Sequence, residues 1–173
     1  MDNGTNKTLI EINKTFEEFM LILSSFYDEQ INKVPFEGSW TPGQIVQHII
    51  LSVSGFVDLM NGPDQDTTRQ PDAHVANIRE AFLNFDIKMY SPDFIIPPAK
   101  NYNKEELLLT LDQLKTQLNQ IIPVKDMTKT CTGFELPMLG YLTRTELANF
   151  IEVHTKRHVY QLKNIYNKIN HIN

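Results

Sequence analysis

The chain has 173 residues, of which 41% are hydrophobic and 21% charged, a composition that fits a single globular domain and excludes a disordered tail protein. Sixteen Lys and Arg against 21 Asp and Glu give a net charge of −5, which argues against a broad phosphate-binding face and so against a nucleic-acid partner. The lone cysteine, Cys131, precludes an internal disulfide; with no signal-peptide pattern at Met1–Lys7 and only short apolar runs, a cytoplasmic protein without a membrane partner is expected.

From about Asn6 to Ile31, Leu9, Ile12, Phe16, Phe19, Met20, Leu23, Phe26 and Tyr27 recur at three- and four-residue steps, the period of an amphipathic helix. Pro35 and Gly38 mark its exit. Trp40-Thr41-Pro42-Gly43-Gln44 then reads as a helix start. Thr41 supplies a capping hydroxyl, Pro42 suits the first helical position, Gln44 can reach back as the partner of a capping box, and Trp40 stands in the staple position before the cap. The stripe Ile45, Ile49, Val53, Phe56 and Leu59 carries this helix to a stop at Asn61-Gly62-Pro63.

Between Gly62 and Asn103 the pattern weakens. A helix over His74–Ile87, with Val75, Ile78, Phe82 and Phe85 on one side and Asp72 as its cap, precedes Ser91–Pro98, whose prolines exclude a helix interior. Asn103 and Glu106 open a third long helix along Leu107, Leu111, Leu114, Leu118 and Ile121, ended by Pro123. Thr143 and Glu146 repeat the capping box before a fourth, to about Ile169. Four long helices without strand alternation predict an all-α fold, a four-helix bundle with long crossover connections at 32–41 and 63–102, in one domain over 1–173.

The chemistry rests on histidines. His154 and His158 stand four residues apart, so on a helix both rings leave one face. Five histidines placed at random would give such a pair about 0.1 times. The fourth helix's stripe reads Leu147, Phe150, Ile151, His154, His158, Leu162, Ile165, so both imidazoles replace apolar side chains on the inward face. His48 does the same on the second helix, beside Ile45, Ser52 and Phe56. Three such rings could converge on one divalent metal and leave a position open for water or substrate. Two plainer readings stand beside this one. A single interior histidine is more often a hydrogen-bonded core residue, and the pair faces solvent if the stripe is rotated by one residue. His74 and His171 are expected to face solvent. The helical zinc-protease pattern needs a glutamate after the first histidine of the pair; here Thr155 stands there. Glu152 and Lys156 read as a surface ion pair. Lys156 and Arg157 read as a solvated face, from which Arg157 could orient an anionic substrate. Cys131 has no neighbour in sequence to activate it as a nucleophile.

Trp40 to Ile49 resembles the first histidine motif of the DinB-like superfamily, in which a tryptophan and a polar cap precede a Gln-x-x-x-His helix. The runs Leu139–Thr143 and His154–Leu162 resemble its carboxy-terminal motif. The likeness spans residues 6–169 and implies a four-helix bundle with an unusual connection order and a metal held by His48, His154 and His158. Leu136 departs from it, since relatives often carry histidine there.

The resemblance also implies a metal-dependent enzyme acting on a small-molecule substrate. Thiol S-transfer from a low-molecular-weight thiol such as bacillithiol or mycothiol comes first, metal-dependent hydrolysis second. A non-catalytic metal-binding bundle is the rival. Zinc, nickel and iron all accept imidazole. Gln44 and Gln161, each about a turn from a ligand along its helix, are the residues expected to orient the ligand rings. A homodimer is possible, on no particular face.

Overall fold

The apolar stripes close into a bundle in a computed structural model that describes residues 3–170. Its helices are α1 (Asn3–Ser24), α2 (Asp28–Ile31), α3 (Pro42–Asn61), α4 (Val75–Leu83), α5 (Lys104–Ile121) and α6 (Arg144–Ile169). Two short strands, β1 (Asp64–Gln65) and β2 (Thr130–Cys131), pair antiparallel with Asp64 opposite Cys131. The all-α expectation holds; this two-residue ladder is too short to show as alternation.

Helices α1 and α3 each pack against both α5 and α6. They therefore sit at opposite corners of the bundle, and so do α5 and α6. The chain takes a diagonal step from α1 to α3 and another from α5 to α6, and each diagonal needs a connection that crosses an end of the bundle. The longest link, 63–102, joins the adjacent α3 and α5. Its length goes instead into laying α4 along α6. The core between the four long helices takes Phe16, Phe19 and Leu23 from α1, Ile45, Ile49 and Val53 from α3, Leu111 and Leu118 from α5, and Leu147, Ile151 and Leu162 from α6. Each such side chain contributes roughly 1.5–3 kcal/mol by leaving water. Helix α3 is long and apolar enough to match a membrane span, yet its apolar face is covered by α5 and α6.

Both predicted capping boxes form. The Thr41 hydroxyl accepts from the Gln44 amide at 3.1 Å while Gln44 Oε1 accepts from the Thr41 amide at 3.0 Å; Thr143 and Glu146 do likewise at 3.2 and 2.9 Å. Asn103 caps α5 through the Glu106 amide at 3.0 Å. Each cap is worth about 1 kcal/mol.

Two helices differ from expectation. The segment Asn6–Ile31 breaks after Ser24. The Ser24 and Ser25 hydroxyls bond back to the carbonyls of Met20 and Leu21, Tyr27 adopts an extended backbone, and Gln30 Oε1 takes the Tyr27 amide at 2.8 Å, restarting the chain as α2. The break buries both Phe26 and Ile31, with Phe26 edge-on to Tyr166. The helix expected over His74–Ile87 is only Val75–Leu83, and Asp72 does not cap it: His74 is the cap residue, without a side-chain cap bond. Beyond Leu83, Arg157 takes the carbonyls of Phe82, Asn84 and Ile87, so a guanidinium replaces the next helical turn as their partner. Within Ser91–Pro98 the chain forms only a single 3₁₀ turn, Asp93–Ile95.

Candidate metal centre

His48 lies in the second turn of α3, and His154 and His158 lie at mid-length on α6. Because α3 and α6 are neighbouring corners with facing apolar stripes, the three imidazoles meet where three core side chains would otherwise interdigitate. The meeting is close. His48 Nε2 lies 3.0 Å from His154 Nε2, and His158 Nε2 lies 3.2 Å from that same atom. The ligand atoms of all three fall within 4.8 Å of one another. Three imidazole nitrogens around one tetrahedral zinc, each at about 2.0–2.1 Å, would stand ~3.3 Å apart, a spacing that the two distances to His154 Nε2, 3.0 and 3.2 Å, match. The residues are 2%, 6% and 8% exposed, which settles the alternative of a solvent-facing pair.

Each ring is held from behind. His48 Nδ1 meets the Ile95 carbonyl at 2.9 Å, from the 3₁₀ turn in the link between α3 and α5. His158 Nδ1 meets Gln161 Oε1 at 2.7 Å. His154 Nδ1 meets the Ser52 hydroxyl at 3.2 Å. A carbonyl only accepts, so His48 and His158 carry their proton on Nδ1 and turn the Nε2 lone pair inward. Outer hydrogen bonds of this kind orient ligating histidines and raise their basicity.

Aromatic rings wall the cluster. Trp40 lies 5.2 Å from His48 between ring centres, Phe82 and Phe150 lie 5.5 and 5.7 Å from His154, and Phe56 backs Phe150 at 4.9 Å. In this dry environment the charged imidazolium is disfavoured. Burial lowers the pKa of His48, and lowers that of His154 well below the ordinary value, with His158, His48 and Arg157 adding repulsion. Burial, then His48, and then Arg157 against the raising bond from Gln161, bring His158 down to about 3. All three are therefore neutral near pH 7, the form that donates to a metal. Among the described residues no carboxylate or thiol joins the cluster.

Of the expected orienting residues, Gln161 is in place and Gln44 is not, because its side chain is spent on the Thr41 amide. Arg157 is not free to meet a substrate, since it is tied to the end of α4. Glu152 is no surface residue. It is 1% exposed, its main partner is Arg79 at 2.6 Å, and Lys156 stands at 3.4 Å. That face of α6 is covered by α4, and a helical pattern does not say which neighbour its helix packs against. His74 stands apart from the triad, half-buried, its backbone amide bound to Glu146. His171 lies outside the described residues. Cys131 is buried in β2, and burial raises its thiol pKa. Leu136 is buried in the tight turn that bridges to Gly140. The sequence reading gave no role to Ile95, whose backbone carbonyl carries no side-chain signature. Ser52 was visible only as a small polar residue one turn after His48 on the same face.

The fold and this cluster define a class: an all-α bundle whose second and fourth long helices enclose a buried three-histidine group able to hold a metal ion. The chain belongs to the DinB superfamily, whose family model matches residues 11–162, a span that includes all three histidines. No curated protein and no solved structure matches it.

Proposed function

We propose that the protein is a metal-dependent thiol S-transferase, joining a low-molecular-weight thiol to a small electrophile at a divalent cation held by His48, His154 and His158. The observation that carries this reading is the convergence of three neutral Nε2 atoms, each ring anchored through its other nitrogen, with no carboxylate among them. A divalent cation there supplies Lewis acidity, lowering the pKa of a thiol or of water. Three imidazoles cancel none of its charge, so the site favours an anionic reaction partner.

The choice of thiol over water follows from what the chain provides. Thr155 occupies the place where helical zinc proteases carry their glutamate base, and among the described residues no carboxylate joins the cluster. A thiol ionises near pH 8.5 unaided, far below bulk water. A site without a protein base is therefore better matched to generating a thiolate. Trp40, Phe82 and Phe150 keep the surroundings of the triad apolar, which strengthens electrostatic interactions there. Cytoplasmic location, where low-molecular-weight thiols are reduced, belongs to the same proposal.

Reconstitution with zinc, nickel or iron, followed by elemental analysis, tests the reading. Wild type should retain one equivalent of metal, and His48→Ala and His154→Ala none. The loaded wild type should accelerate thiol consumption by an activated aryl or alkyl halide. Turnover of esters or amides without thiol would instead identify a hydrolase. Bound metal without either activity would identify a structural site, and failure to bind metal would overturn both enzymatic readings.

A further inference from the structure

The outer hydrogen bonds of the triad are not equivalent. His48 and His158 each face an oxygen that can only accept, Ile95 O and Gln161 Oε1. The backbone carbonyl locks His48 as its Nδ1–H tautomer, and Gln161 Oε1 takes the same proton from His158, so both Nε2 lone pairs are directed at His154 Nε2, from 3.0 and 3.2 Å. Were His154 locked the same way, three lone pairs would crowd together with no proton between them, a buried repulsive arrangement. The metal-free cluster is satisfied only if His154 carries its proton on Nε2 and shares it between the other two rings. Its Nδ1 must then accept a hydrogen bond, while metal ligation through Nε2 requires the opposite tautomer, with Nδ1 as donor.

The partner of His154 Nδ1 is the Ser52 hydroxyl at 3.2 Å, on a residue 5% exposed. A hydroxyl both donates and accepts. Unlike the Ile95 carbonyl, it can serve either tautomer, and it does so without moving. We propose that Ser52 and His154 form a tautomer switch: without metal, Ser52 donates to Nδ1 and Nε2–H bridges His48 and His158; with metal, Nδ1–H donates to Ser52 and Nε2 becomes a ligand. One proton leaves Nε2 and one arrives at Nδ1, so His154 stays neutral and its proton count is unchanged. Ser52 is thereby a positioning residue that lets one packed core exist in both states without leaving a buried nitrogen unpaired. The inference rests on the metal-holding reading above, but its metal-free half can be measured without any metal.

Long-range ¹⁵N–¹H correlation spectra of the imidazoles, recorded on chelator-treated and zinc-loaded full-length protein, provide the test. The expected result is His154 protonated on Nε2 without zinc and on Nδ1 with it, with His48 and His158 protonated on Nδ1 in both. Ser52→Ala should bind zinc about 10- to 100-fold more weakly, and Ser52→Thr, which keeps the hydroxyl, should restore most of that loss. Metal-free protein with His154 protonated on Nδ1, or Ser52→Ala binding zinc as tightly as wild type, overturns the inference. A protein that takes up no zinc yet shows the Nε2–H form would sink the proposed function and the zinc-dependent half of the switch, while upholding the metal-free hydrogen-bond assignment.

Discussion

Helix α6 carries two buried polar clusters within three turns of each other, and they are built on opposite plans. At its amino end Glu146, fully buried, has both oxygens saturated: Arg69 grips it with two nitrogens, and the backbone amides of His74 and Thr143 complete the set at 2.9 Å each. Burial pushes its pKa up, but Arg69 and the Thr143 and His74 amides outweigh that and hold the carboxyl below its ordinary value. At mid-helix the histidines have no carboxylate beside them among the described residues, and their inner nitrogens meet one another. A closed cluster leaves nothing for a ligand to add. An open one stores coordinating capacity that the fold does not use. The contrast separates a structural polar group from a site more sharply than exposure does, because Glu146 and the three histidines are all buried side chains.

Acid should separate the two most strongly. Below about pH 6.5 an unfolded chain protonates its histidines, whereas the buried triad resists. The folded pKa values are lowered, so the stability is intact above that pH and is lost as pH falls toward the folded value, about 3 for His158. Each imidazole that stays neutral costs up to about 1.4 kcal/mol per pH unit. Glu146 is a depressed carboxylate, whose contribution stays intact until pH falls below its ordinary 4.5. Urea midpoints of metal-free protein should therefore decline from near pH 6.5, and a flat profile down to pH 5 would break the comparison.

Breaking the closed cluster should cost stability and leave metal binding alone. Glu146→Ala removes a capping box, takes from Arg69 its carboxylate partner and leaves the His74 amide without its acceptor, a loss of roughly 3 kcal/mol, read as a fall in Tm of about 6–12 °C, with metal content per folded molecule unchanged. The smaller, converse effect belongs to the open cluster. Gln161 is half-exposed, so Gln161→Ala should hardly alter the urea midpoint, yet it frees the His158 ring and should weaken metal affinity about 10-fold. Equal affinity in that variant and wild type would show that the Nδ1 bond does not orient the ring.

Much of this was legible before any coordinates. The boxes at Thr41 and Thr143, the Asn103 cap and the long apolar stripes are local signals, because a cap and its partner lie three residues apart and a stripe needs only the helical period. His48, His154 and His158 were legible for the same reason, as polar residues standing on apolar stripes. The break at Ser25–Tyr27 was not, since the stripe runs on through Phe26 and Tyr27 while the hydroxyls and Gln30 end one helix and start another.

What the sequence alone determined, then, is which helices form and which face of each turns inward, because those follow from interactions a few residues apart. Only the tertiary structure decided the diagonal order of the bundle, the covering of Glu152 by α4, and the partner behind each histidine. The Ile95 carbonyl lies 47 residues from His48, and the Ser52 hydroxyl 102 residues from His154. Chain separations of that size carry no periodic signature, and one of the two atoms is backbone, common to every residue type. The same core packing that brings α3 against α6 selects which lone pairs meet, so the chemistry of the site is a property of the packed bundle.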